Sequence, residues 1–187
     1  MSDPLADLDE AGRPTAPKLP QATDEHRRAG RHLAAIHRHY LQDMARIKMV
    51  IERIESGDTP PERLRDVVLS MEMAENYRAF GSLCGQGCHM LSMHHDIEEN
   101  SMFTGIEARA SAGLGAVVAK QRAEHKVVHA RIERLEAAAL DLLHAPTDTN
   151  FLQAATAFRD LEATVRSHFR YEETELEEAI GVYLGVV

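Results

Sequence analysis

Apolar residues along most of the chain recur every three or four positions, the period of a helix that buries one face. The first run is Leu33, Ile36, Tyr40, Met44, Ile47, Ile51 and Ile54, preceded by Thr23 as a candidate N-cap and ended by Ser56-Gly57-Asp58. A second start follows at Asp58-Thr59-Pro60-Pro61-Glu62, with proline in the first turn. It opens a long segment through Met71, Met73, Tyr77 and Phe80, expected to kink near Gly81, Gly85 and Gly87, then to resume through Cys84, Cys88, Leu91 and Met102 as far as Gly105. The third stripe is Leu114, Val118, Gln121, Val128, Ile132, Leu135, Ala139 and Leu142, stopping before Pro146. After a linker over residues 145–149, the fourth carries Phe151, Ala154, Phe158, Leu161, Val165, Phe169 and Leu176.

Asn-Gly and Asp-Gly hairpin turns are absent, and no alternating run is sustained. Four amphipathic segments with short connections predict an all-α, antiparallel up-and-down four-helix bundle over residues 23–187. Residues 1–22 hold four of the seven prolines (Pro4, Pro14, Pro17, Pro20) and show no apolar period, so the expectation there is a disordered tail.

At 187 residues and 44% hydrophobic, the chain is long enough for one self-sufficient core and too short for a two-domain enzyme. A formal charge of −9 argues against phosphate-driven binding of nucleic acid. No apolar run approaches the ~18 residues of a membrane span. Two cysteines cannot build a disulfide framework, and the start lacks a signal-peptide pattern, so the expected compartment is the reducing cytoplasm. Cys84 and Cys88, one turn apart, read as small core residues or as a redox pair. The eleven histidines raise the question of a metal.

Several of those histidines fall on the apolar stripes. His168 and Glu172 lie one turn apart in line with Leu161, Val165 and Leu176. The second helix reads His94-His95-Asp96-Ile97-Glu98-Glu99 and the fourth His168-Phe169-Arg170-Tyr171-Glu172-Glu173, so both contain His-x-x-x-Glu-Glu with an apolar residue four positions on. Four residues apart is about 6 Å along one helix face, within chelating reach. His125 follows the third stripe, with His129 nearer its edge, and of His32, His37 and His39 the phase selects His37. His26, His89 and His144 read as solvent-side or loop residues.

The tally is five imidazoles, His37, His94, His125, His129 and His168, and two carboxylates, Glu98 and Glu172, from all four helices. Buried without partners they would cost several kcal/mol, and a cation relieves that cost. Seven ligands exceed a tetrahedral zinc and offer too few oxygens for calcium, whereas two octahedral irons with shared carboxylates fit. A zincin is excluded because Lys126, not Glu, follows His125. A ferritin-like site needs Glu three places before a histidine, and none stands there. The cysteine spacing does not suit a zinc finger.

With these residues in view, the chain resembles the hemerythrin-like, or HHE cation-binding, family from about Thr23 to Glu178. Ile36-His37-Arg38-His39, Met93 to Glu99 with Met102-Phe103, Glu124-His125 with His129, and His168 with Glu172-Glu173 stand in the family's order. The resemblance implies a non-heme, oxo- or hydroxo-bridged di-iron centre held by His37, His94, Glu98, His125, His129, His168 and Glu172, with Glu98 and Glu172 as bridges. Two departures are visible: Phe103-Thr104 replaces the family's frequent Phe-Pro, and the oxygen carriers place Asp five after the last histidine, where Glu172 is four after and Glu173 five. The choice between those two glutamates stays open, as do roles for His95 and Tyr40 at the metal.

The functional expectation is a monomer or weak dimer that binds dioxygen, peroxide or nitric oxide, with catalase-like peroxide dismutation as the activity. The rival is a non-catalytic sensor or carrier of oxygen, nitric oxide or iron, for which no attached output domain is evident. A metal-free helical module is the third reading, and its buried polar groups count against it.

Overall fold

The computed structural model describes residues 8–58 and 86–185. Among them every regular element is helical: α1 (Asp24–Gly30), α2 (His32–Glu55), α3 (Gln86–Ile97), a π-helical turn (Glu98–Met102), α4 (Phe103–Glu107), α5 (Ala112–His144) and α6 (Asp148–Tyr183). The fold is all-α, as the apolar periodicity predicts. The expected start of the second segment at Pro60-Pro61, its kink near Gly81 and Gly85, and Cys84 lie outside the described residues, as does the side chain of Cys88.

Thr23 caps α1 as expected, its hydroxyl accepting from the His26 backbone N–H while the His26 ring accepts from Thr23 N–H. The first predicted helix is in fact two, separated at Arg31. At the other end Gly57 adopts a φ of 75°, the left-handed conformation that terminates α2 at little cost only in glycine.

The chain divides into two compact units. The first takes residues up to His39, Met93–Val128 and the chain from Thr164 onward; the second takes Tyr40–Ser92 and His129–Ala163. In the first unit Leu33, Phe103, Ile106, Leu114, Val117, Val118, Tyr171, Leu176, Ala179 and Ile180 form a core. Two glycines let α1 lie directly on α6: a Cβ on Gly30 would fall 2.0 Å from the Glu177 carbonyl oxygen, and one on Gly181 would fall 1.9 Å from that of His26. In the second unit Leu142 and Ala154 pack with Val50, Ile54, Ala138 and Phe151. There α5 and α6 run antiparallel, as the pairing of Asp141 with Asn150 and of Arg134 with Asp160 requires.

Two expectations are corrected. Ile36, assigned to the buried stripe, is 47% exposed, because α2 turns His37 inward instead. Residues 8–22, expected to be disordered, form a strap over the first unit. Tyr171 donates its hydroxyl to the Pro14 carbonyl at 2.7 Å, the Leu19 N–H donates to Glu178 at 3.0 Å, and Arg13 binds Glu124. Proline-rich sequence without an apolar period satisfies its backbone through such isolated polar ties, which no local pattern reveals.

Candidate metal centre

The site lies within the first unit. On α3 the residues Leu91, His94 and His95 are buried, and the stripe continues through Glu98. Here the π turn intervenes, the Phe103 N–H bonding to the Glu98 carbonyl. One extra residue per turn rotates the stripe, so that Phe103, not Met102, is fully buried below Glu98. A π turn at this point is the kind of local irregularity that accompanies functional sites.

Two groups of side chains converge. In the first, ligand atoms of His37, His94 and Glu98 all lie within 4.8 Å of one another; in the second, those of His95, His125 and His168 do. The Nε2 atoms of His37 and His94 face each other at 3.0 Å, and His94 Nε2 is 2.9 Å from Glu98 Oε1. The other oxygen, Glu98 Oε2, is 3.4 Å from His125 Nε2. Glu98 therefore offers one oxygen to each group. Glu172 Oε2 lies 3.5 Å from His37 Nε2 and 3.9 Å from His168 Nε2, a second carboxylate between the same two groups.

Outward-facing ring nitrogens have their own carboxylates. His37 Nδ1 is 2.9 Å from Glu173, His125 Nδ1 is 2.8 Å from Glu99, and His168 Nδ1 is 3.3 Å from Glu124. Each carboxylate fixes the tautomer with hydrogen on Nδ1, which leaves the Nε2 lone pair turned into the site. Ring contacts hold the planes: His37 stacks on Phe169 at 3.7 Å between centroids, and His95 on His125 at 4.0 Å.

The electrostatics follow from burial. Glu172, fully enclosed, is pushed well above the ordinary carboxylate range by burial and then by the Glu98 charge. Glu98 moves the other way: burial alone would raise it, but the imidazoles of His125, His37 and His94 around it outweigh burial and hold it low. Burial, with His125 beside it, brings His168 down to about 4, and burial with His125 and His168 takes His95 well below its usual value. His37 is raised: its burial is outweighed by Glu173 and Glu98. His95 and His168 are thus neutral imidazoles at neutral pH, the form that ligates metal.

These residues fit a cation. His125 Nε2, His168 Nε2 and all four carboxylate oxygens of Glu98 and Glu172 are buried with no hydrogen bond in the protein. Each such atom costs about 1–3 kcal/mol left as it is, and a shared positive charge satisfies all of them together.

Of the seven residues selected from the sequence, six come together here: His37, His94, Glu98, His125, His168 and Glu172. His129 is half-buried and belongs to the second unit; neither group includes it. His95, on the adjoining α3 position, joins His125 and His168 instead. Tyr40 is a core residue whose hydroxyl donates to the Met90 carbonyl at 3.2 Å. His32, His39, His89 and His144 are exposed. Sequence reading missed Glu99, Glu124 and Glu173 as the outer partners, although each adjoins a selected residue. It placed Gln121 on the buried stripe but gave it no role; the side chain is fully buried one turn before His125, with both amide atoms lacking a hydrogen bond.

A helical protein whose interior gathers imidazoles and carboxylates into two facing groups is a metal-binding protein of the four-helix class. The hemerythrin HHE cation binding domain matches residues 31–180. The chain belongs to that family. No curated protein matches it, and no solved structure does. Among the described residues no helix is long and apolar enough to cross a membrane.

Proposed function

We propose that the protein holds two iron ions and disproportionates peroxide in the cytoplasm. His37, His94 and Glu98 would hold one ion and His95, His125 and His168 the other, with the Glu98 and Glu172 carboxylates lying between the two groups. His95 takes the place first given to His129. Imidazole with carboxylate suits iron, and the ligand count leaves positions open to a small oxygen species. Bound iron supplies reversible one-electron redox chemistry. One peroxide loses two electrons and two protons to become dioxygen, and a second takes them up to become two waters.

The chain's own groups prepare the site for that exchange. Glu173, Glu99 and Glu124 keep the Nδ1 protons in place, so that the Nε2 lone pairs stay directed inward as charge on the metals changes. Gln121, on the same buried face as His125, offers a neutral amide to a ligand entering the apolar interior. The observation that carries this reading is the set of buried, hydrogen-bond-free inward atoms of His125, His168, Glu98 and Glu172.

Purified protein loaded with ferrous iron is expected to contain two irons per chain, to show near-ultraviolet charge-transfer bands, and to evolve oxygen from peroxide. His125→Ala is expected to abolish turnover. Unchanged turnover in that variant would discard the assignment, and reversible bands on adding dioxygen or nitric oxide without turnover would make the protein a carrier or sensor.

A further inference from the structure

The strap reaches the metal centre through Arg13. Arg13 Nε donates to Glu124 Oε1 at 2.8 Å and its terminal nitrogen to Oε2 at 3.0 Å, a two-pronged grip on one carboxylate. That same Oε2 lies 3.3 Å from His168 Nδ1, and the Nε2 of the ring faces the site. The Arg13 side chain is 13% exposed and that of Glu124 is 2%. The guanidinium lies 4.7 Å from the centre of the Tyr171 ring, whose hydroxyl ties down the next residue, Pro14. Arg13 precedes residues 31–180, the part of the chain that matches the family, so the family's ligand pattern does not account for it.

We infer that Arg13 is a positioning residue for the metal centre, acting through Glu124 to orient His168. The inference rests on the metal reading above. Glu124 is nearly dry, and a buried carboxylate needs a compensating charge close by. Arg13 supplies that charge and fixes both oxygens by its planar fork, which a point charge cannot do equally well. With the carboxylate immobilised, Oε2 stays in line with the Nδ1–H of His168, which keeps the Nε2 lone pair aimed at the metal and raises its donor strength. Removing the fork frees Glu124 to rotate, and the ring loses its outer anchor. The strap thereby becomes part of the centre and seals the Nδ1 side of His168 from water.

The test uses the full chain with cobalt(II) as the probe. Arg13→Leu keeps an apolar stem against Tyr171 but removes the fork, while Arg13→Lys restores one charged donor. Arg13→Leu is expected to weaken the second cobalt site about tenfold, the lower end of the effect of an outer partner. It is also expected to shift the visible bands of that site and to speed solvent exchange of the paramagnetically shifted His168 ring N–H. Arg13→Lys should recover part of each of the three. If wild-type protein binds two cobalt ions and Arg13→Leu leaves affinity, bands and N–H exchange unchanged, the positioning role is overturned while the metal reading stands. If wild-type protein binds no cobalt and no iron, the metal reading itself fails.

Discussion

Glu173 Oε1 lies 2.9 Å from His37 Nδ1, so the second glutamate of the doublet on α6 holds a histidine from behind while its neighbour Glu172 faces into the site. One helical step of about 100° separates the two roles. Glu172→Gln is expected to lower metal content from two ions per chain toward one, because it removes a carboxylate between both groups. Glu173→Gln should keep two ions with affinity reduced about 10- to 100-fold, the usual cost of losing an outer partner. Metal analysis with competitive chelator titration distinguishes the two, and equal effects would contradict the division of labour.

The metal-free protein should be most stable near pH 6.5. Below that value His95 and His168, both depressed by burial, take up protons in the unfolded chain before the folded one, so stability falls as pH drops toward 4. Glu98, held low, adds to the loss below about 4.5. Above 6.5 the signs reverse. Glu172 and His37, both raised in the folded state, keep protons that the unfolded chain has released, and their contribution is lost as pH rises through their folded values. Bound metal replaces those protons, so the alkaline limb should flatten on loading. Urea unfolding across pH, with and without ferrous iron, measures this; a metal-free protein still gaining stability above pH 7 would refute it.

The glycines separate close packing from mere flexibility. Gly181→Ala would drive a methyl into the His26 backbone, and the relief is a shift of α1 against α6, at a cost of about 3 kcal/mol. Gly115 lies in α5 with nothing within 4 Å of its missing Cβ. Gly115→Ala should stabilise by about 0.5–1 kcal/mol through helix propensity. Denaturant unfolding of both variants checks the pair, and a neutral Gly181→Ala would show that the crossing is looser than described.

How much of this was legible from residues alone depended on whether the information was local. The start at Thr23, the choice of His37 over His32 and His39, and the alignment of His168 with Glu172 all follow from helical phase, because phase is set by neighbours three or four residues away. The π turn was not legible: a single added residue leaves the Met102-Phe103 sequence unremarkable yet moves burial from one to the other. Nor was the strap, since the partner of Arg13 stands 111 positions later in the chain. The outer carboxylates left a signal that went unread. Glu98-Glu99 and Glu172-Glu173 are doublets beside ligand positions, and the second member of each reaches a histidine on another helix.

Gln121 carries the last prediction. Its side chain is fully buried, and neither amide atom makes a hydrogen bond in the protein. Leaving two polar atoms dry opposes folding, whereas leucine, shorter but of comparable volume, occupies the space without that penalty. Gln121→Leu should therefore stabilise the metal-free protein by about 1 kcal/mol, read from urea unfolding. The same change removes the neutral amide from the face that carries His125, so iron-loaded variant is expected to bind two irons normally while losing peroxide turnover. A variant that is destabilised when metal-free would show that Gln121 has a structural partner, and one that turns over peroxide at the original rate would remove it from the chemistry.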